Sequence, residues 1–275
     1  EGFDQMYPEL IRLGSVVIHS YGFMIALAIV ISSFMLYREA PREKIKPDLI
    51  LEAILITAFS GLIGARLLYI AIHWNDYGNN LFSAIFSRFE GLSFYGALPV
   101  GVAALYYWCN KRKINFLKIA DLLAPYLALS YAFARIGCFL NGCCYGIQSS
   151  LPWALPAQAG DPILRHPVQL YAALGAIAIF IVLKVLRPYR PFVGFMAIAL
   201  LALYSILRFT TEFFSLNERT WLSLTMAQLF SLGLLITVFS AIALYFYIPA
   251  GDIKKGSNNS SSENNNLRRN RNRNE

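Results

Sequence analysis

Three arginines stand inside stretches that are otherwise apolar: Arg66, Arg135 and Arg208. An arginine at mid-bilayer costs about 2.5–3.5 kcal/mol on insertion scales, so each needs a reason. Snorkelling to an interface, or a helix–helix ion pair, accounts for one arginine near a span end about as well as chemistry does. Their company points further. Tyr204 and Glu212 flank Arg208 four residues to either side, which places all three on one helix face. Tyr21 and His19 lie early in the first apolar stretch, Tyr95 early in the third, and His166, Gln169 and Tyr171 open the fifth. Several cations with few acids suit a phosphate group, which a guanidinium grips through two parallel hydrogen bonds. Glu212 can pair with one guanidinium and hold its fork in place. A plain intrahelical Arg208–Glu212 salt bridge explains that pair equally, but leaves Arg66 and Arg135 unexplained.

The elements that must position these residues follow from composition. The 275 residues are 57% hydrophobic and only 15% charged, against about 25% charged in a soluble domain. Something apolar must solvate such a surface, so the chain reads as an all-α, polytopic integral membrane protein. A span needs about 20 apolar residues. Seven stretches qualify, at 13–37, 49–74, 92–109, 117–140, 168–186, 191–211 and 222–248; the third is short and the fourth contains Pro125. The net charge of +8 does not imply nucleic acid, and no nucleic-acid partner is expected, because the basic residues gather in short loops and a tail. Those following spans one, three and five, and those of the tail, fall on one side. The positive-inside rule then puts the N-terminus outside and the C-terminus in the cytoplasm. Under that orientation spans two, four and six rise outward, and all three arginines reach the outer half of the membrane.

The chain divides into an N-terminal interfacial segment at 1–12, a seven-helix domain at 13–248 and a disordered, basic cytoplasmic tail at 249–275. A Gly- and Pro-rich external loop spans 141–167; long connections of this kind tend to carry function. The opening EGFDQMYPELIRLG lacks the basic segment of a cleavable signal peptide. Trp74 and Trp153 fit an interfacial aromatic belt. Gly137, Gly142 and Gly146 would let backbone approach a ligand closely, and helix packing accounts for them equally well. Cys138, Cys143 and Cys144 lie within seven residues, yet their spacing matches no standard zinc pattern, and a cysteine is also an ordinary small buried hydrophobe. No metal and no cofactor are expected.

These segments, taken together, resemble the prolipoprotein diacylglyceryl transferase family over roughly residues 13–248. HSYGFM is similar to the family's Tyr-Gly near the start of the first span, and GLIGARLLY to its Gly-Ala-Arg segment. SFYGAL stands where the family reads Ser-Phe-His-Gly-Gly. ARIGCFLNGCCYG resembles the signature beginning Gly-Arg-Ile-Gly-Asn, and RHPVQLYAA resembles Arg-His-Pro-Ser-Gln-Leu-Tyr-Glu. YSILRFTTEFF and TMAQLFS resemble the two last segments. Each string alone is weak; their shared order is specific.

The resemblance implies an enzyme of the bacterial plasma (inner) membrane. It would move the diacylglyceryl group of phosphatidylglycerol to the lipobox cysteine thiol in the signal peptide of a preprolipoprotein, with its site facing the outer leaflet. Arg135 and Arg208 would stabilise the departing phosphate, with Glu212 beside them. Tyr21, Tyr95 or His166 would relay the proton, or the phosphate would accept it. Arg66, Gly137, Asn141, Gly142, Gly146, His166, Gln169, Tyr171 and Tyr204 would bind the substrates. The chain departs from the family at Tyr95 for the usual His, Cys138 for Asn, Cys143 where Glu is common, and Ala172 for Glu. The departures leave open a paralogue with another lipid donor or thiol acceptor. A small-molecule transporter is the other reading, opposed by the absence of an internal repeat.

Overall fold

A computed structural model describes residues 9–13, 16–74, 94–157, 161–219 and 223–247. The expected interfacial segment before residue 9 and the tail from 249 lie outside these residues. Each apolar stretch becomes one helix: α1 (Ser20–Glu39), α2 (Pro47–Ile72), α3 (Phe94–Arg112), α4 (Phe116–Leu140), α5 (Val168–Leu186), α6 (Phe195–Glu212) and α7 (Met226–Tyr247). Five of them, α1, α2, α4, α5 and α6, are long and apolar enough to cross a membrane, and α7 holds a shorter apolar run, Met226–Ser240. The protein is therefore a polytopic α-helical membrane protein.

Local signals set the helix ends. Pro47 opens α2, where its missing N–H is not needed. The Asn115 side chain caps α4 by accepting a hydrogen bond from Leu117 N at 2.9 Å. Lys44 and Lys113, both at positive φ, follow the segments that end α1 and α3. Pro125 sits inside α4 and is fully buried; neighbouring helices make such a residue tolerable in a membrane.

One boundary differs from expectation. Residues 13–19 do not begin the first span. Glu9–Leu13 (β1) and Val16–His19 (β2) pair antiparallel, and α1 starts only at Ser20. The run Val16-Val17-Ile18 is β-branched, which favours extended backbone.

Helix α4 is the hub, packing against α1, α5 and α6, while α7 packs on α6. Small residues line many of the helix contacts: Ala28, Ser32, Ala124, Ala128, Ala132, Ala172, Ala176 and Ser205 are all buried, beside larger ones such as Leu183 and Met196. The outward residues are large and apolar; Phe59, Leu67, Leu174 and Ile236 are each 60% exposed or more. This arrangement suits lipid chains outside, since apolar residues gain nothing by turning inward there and small ones let helices approach.

Helices α2 and α3 form a hairpin, the most extensive pairing among the described elements, and α2 also packs on α1. They cross at Gly64 and Gly96, where a Cβ on Gly64 would lie 2.6 Å from the Gly96 carbonyl oxygen. The two backbones touch, and only hydrogen fits.

A polar cluster closes one end of the bundle. Glu39 of α1 pairs with Lys184 at 2.8 Å and with Arg187, and accepts from the Tyr126 hydroxyl. Glu43 pairs with Arg187 at 3.1 Å and Arg190 at 2.8 Å. Asp121 of α4 accepts from the backbone N–H of Gly194 at 2.6 Å and of Ala197 at 3.1 Å. A carboxylate at the N-terminus of α6 satisfies donors the helix cannot. Beside this end lies an apolar cluster including Leu36, Ile50, Leu105, Trp108, Ile119 and Leu122.

Candidate active site

The other end of the same helices carries the arginines. On α4 Tyr131 precedes Arg135 by four residues, and on α6 Tyr204 precedes Arg208 by four. The two tyrosine rings meet edge to face with centroids 5.3 Å apart. The Arg135 guanidinium carbon lies 4.8 Å from the Tyr131 ring centroid, a cation–π contact that orients a charge without neutralising it. Arg208 Nη2 is 3.0 Å from Glu212 Oε2. The buried Glu212 is engaged elsewhere too: its Oε1 accepts from Asn217 Nδ2 at 2.6 Å and from Thr225 Oγ1 at 3.0 Å. Among the described residues Arg135 makes no ion pair with a carboxylate.

A cavity of about 580 Å³ opens between these groups, lined by Arg135, Arg208, Gly142, Cys143, Cys144 and Asn217 among others. That volume falls within the range of small-molecule sites. The segment after α4 forms one wall. Asn141 closes the helix, its N–H donating to Gly137 O at 3.0 Å. The chain then reverses through Gly142 at φ 67° and Cys144 at φ 63°. Gly146 N–H donates to His166 O at 3.0 Å, and Ile147 N–H to Phe214 O at 2.9 Å. A Cβ on Gly146 would stand 2.7 Å from that His166 carbonyl and closer still to the Phe214 carbonyl, so the wall requires glycine there. A two-residue pairing of Leu155–Pro156 (β3) with Leu164–Arg165 (β4) stiffens the rest of the loop.

The expected site residues divide into three groups. Arg135, Arg208 and Gly142 line the cavity, with Glu212 and Tyr204 directly behind the arginines. Gly146, His166, Gln169 and Tyr171 build the wall. Tyr171 Oη receives a hydrogen bond from Trp153 Nε1 at 2.8 Å and lies 3.2 Å from His166 Nδ1. Gln169 Nε2 donates to Cys143 O at 2.7 Å. Gly137 packs against α1, where an added Cβ would meet Tyr21 and Met24 at 3.2 Å, so Tyr21 leans on the helix carrying Arg135. Arg66 and Tyr95 form the third group. They sit on the α2–α3 hairpin, with Arg66 5.8 Å from the Tyr69 ring centroid and Tyr95 70% exposed. Among the described residues neither lines the cavity.

Sequence reasoning missed several members. Tyr131 could have been found, because it repeats the spacing of Tyr204 to its arginine. Arg165 is a further cation at the wall, 5.0 Å from the ring centroid of Tyr145 and 3.8 Å from Asp161. Asn217 and Thr225 come from a connection with no periodic pattern, and nothing in their spacing points to Glu212.

Comparison with known proteins agrees with this architecture. The sequence profile of the family described as prolipoprotein diacylglyceryl transferase matches residues 8–247. The chain is 33% identical over 243 residues to the phosphatidylglycerol–prolipoprotein diacylglyceryl transferase of Clostridioides difficile (strain 630), covering 88% of this chain and 94% of that protein. It is 33% identical over 227 residues to the Clostridium perfringens protein named phosphatidylglycerol–prolipoprotein diacylglyceryl transferase 2, covering 80% and 88%. The similarly named Polynucleobacter necessarius protein is 37% identical over 185 residues, covering 62% and 68%. The match spans all seven helices and the wall of the cavity, and the chain belongs to the prolipoprotein diacylglyceryl transferase family.

Proposed function

We propose that this protein transfers the diacylglyceryl group of phosphatidylglycerol to the thiol of a preprolipoprotein lipobox cysteine. The observation that carries this reading is the pair of guanidiniums, Arg135 and Arg208, on one cavity, where among the described residues Glu212 pairs with Arg208 alone and no carboxylate pairs with Arg135. Such a pair has hydrogen-bonding capacity left for a phosphodiester. The curated relatives carry the names of both substrates.

In the reaction the acceptor thiolate attacks the glyceryl carbon bonded to the phosphate ester oxygen. A C–S bond forms, the C–O bond breaks and glycerol phosphate leaves. Negative charge grows on the departing phosphate, and Arg135 and Arg208 stabilise it there, an electrostatic role. The thiol proton passes to the leaving phosphate or to a nearby hydroxyl or imidazole, with Tyr21 and His166 as candidates. Tyr95, the third candidate, and Arg66 stand on the hairpin, outside the cavity lining among the described residues. Tyr204 and Tyr131 orient the two arginines, and Gln169, Tyr171 and Gly146 hold the wall.

The site lies at the outer leaflet of the inner membrane, with the N-terminus outside and the C-terminus in the cytoplasm. The basic loops after α1, α3 and α5 support this orientation. Cysteines introduced at positions 112 and 160 should label from opposite faces of the membrane; labelling of both from outside reverses the assignment. The activity itself is tested with purified protein, phosphatidylglycerol and a lipobox peptide. The peptide should gain the mass of one diacylglyceryl group, and an unchanged peptide mass rejects the reading.

A further inference from the structure

The turn that walls the cavity brings the Cys138 thiol together with those of the adjacent Cys143 and Cys144. The Sγ atoms of Cys138, Cys143 and Cys144 all lie within 4.8 Å of one another, and those of Cys143 and Cys144 are 3.8 Å apart. Two thiolates on one tetrahedral ion at the usual ~2.3 Å are separated by about 3.8 Å. We propose that Cys138, Cys143 and Cys144 form a binding site for one soft, thiol-seeking metal ion, of the zinc, cadmium or copper(I) class. This reverses the expectation from spacing alone. Linear spacing is a poor guide here, because Cys138 lies in the last turn of α4 and the reversal through Gly142 and Cys144 folds the next two cysteines back over it.

The backbone holds the donors in place before any ion arrives. Cys143 N–H donates to Cys138 O at 3.1 Å, and Gln169 Nε2 fixes Cys143 O at 2.7 Å. The charges also balance. Each thiol releases its proton to solvent as the ion binds, so three thiolates and a divalent ion carry one net negative charge. Arg135 and Arg208, on the same cavity as Cys143 and Cys144, face that charge. Three sulfur ligands leave a fourth position for water or a cavity ligand. The exposed Cys144 gives the ion a path from solvent. The fourth cysteine, Cys109, is buried at the far end of α3 and has no part in the cluster.

The inference does not depend on the transfer reaction, and its test reads metal alone. Full-length, fully reduced protein in detergent is titrated with cadmium, following the ultraviolet cadmium–thiolate charge-transfer band. The parent should bind about one ion per chain. Cys109→Ser should titrate like the parent, and replacing Cys138, Cys143 and Cys144 together by Ser should abolish the band. Should the triple variant not fold, Cys144→Ser alone decides. Losing one ligand should weaken binding by more than about 10-fold, since changes behind a ligand already cost that much. The proposal is overturned if the parent shows no band while its thiols titrate as free. An undiminished band in the triple variant, or unchanged affinity in Cys144→Ser, overturns it as well.

Discussion

The two ends of the bundle are built from the same residue types and treat them in opposite ways. At the Glu39 end, Glu39, Glu43 and Asp121 face Lys184, Arg187, Arg190 and the open N-terminus of α6, and each charge meets an opposite charge or a backbone dipole. At the Arg135 end, Arg135, Arg165 and Arg208 outnumber Glu212 and Asp161, and Asp161 stands 3.8 Å from its arginine. The first end is complete without a ligand. The second has cationic capacity left over beside a cavity. Among intramembrane charges, unspent hydrogen bonding is what separates a site from a structural clamp.

The largest effect should come from removing that unspent charge. Arg135→Ala and Arg208→Ala are each expected to reduce transfer by about 10³-fold or more, roughly 4 kcal/mol of transition-state stabilisation. The melting temperature of Arg135→Ala in detergent should stay close to the parent's, whereas Arg208→Ala, which leaves the buried Glu212 carboxylate without its cation, should lose stability as well. Lysine at either position should rescue poorly, because it keeps the charge and loses the fork. Near-normal transfer by either alanine variant would remove that arginine from the chemistry and erase the contrast between the ends.

The opposite signature is expected at the clamp. Glu39→Ala leaves the partly buried Lys184 without its carboxylate and Arg187 with Glu43 alone, and should destabilise the protein by about 3 kcal/mol. Thermal unfolding in detergent reads this directly, while activity per folded molecule should hold. A stable but inactive Glu39→Ala protein would mean that the two ends are coupled. Asp121→Ala should act in the same sense and less strongly, by about 1–2 kcal/mol, since it uncaps one helix.

The smallest effect sharpens the comparison at its edge. Tyr95 stands on the hairpin and, among the described residues, outside the cavity lining. Tyr95→Phe should therefore slow transfer by only about 5-fold, or 1 kcal/mol, the worth of one hydrogen bond. Loss comparable to that of the arginine variants would place its hydroxyl in the proton path. In that case Tyr95→His, which restores the residue the family usually carries, should remain active.

Much of the fold was legible, because a helix in lipid must satisfy its own backbone and so needs an unbroken run of apolar residues. The run at 168–186 coincides with α5 residue for residue. The start of α1 was not legible: Val16-Val17-Ile18 is apolar enough for a span and β-branched enough for a strand, and hydropathy does not distinguish them. In the candidate site, Arg135, Arg208 and Glu212 stood out because charge inside an apolar stretch is expensive. Asn217 and Thr225 did not, since small polar residues in a connection cost nothing to place and their meeting with Glu212 is decided by tertiary packing. The meeting of the three thiols depends on two left-handed backbone positions, one of them non-glycine, which no spacing rule encodes.

The contact of Gly64 with Gly96 constrains how this protein can change. Any substitution at either position drives a carbon into the facing helix's backbone as well as into Val100 or Leu68, so trimming those side chains alone leaves the backbone clash in place. A genetic selection for suppressors of Gly64→Ala would then find little within the hairpin itself. Relief must come from altering how α2 and α3 run past each other, which moves Arg66 and Tyr95 together. Mutations that seem to concern only helix packing should therefore surface as changes in the residues that the hairpin carries.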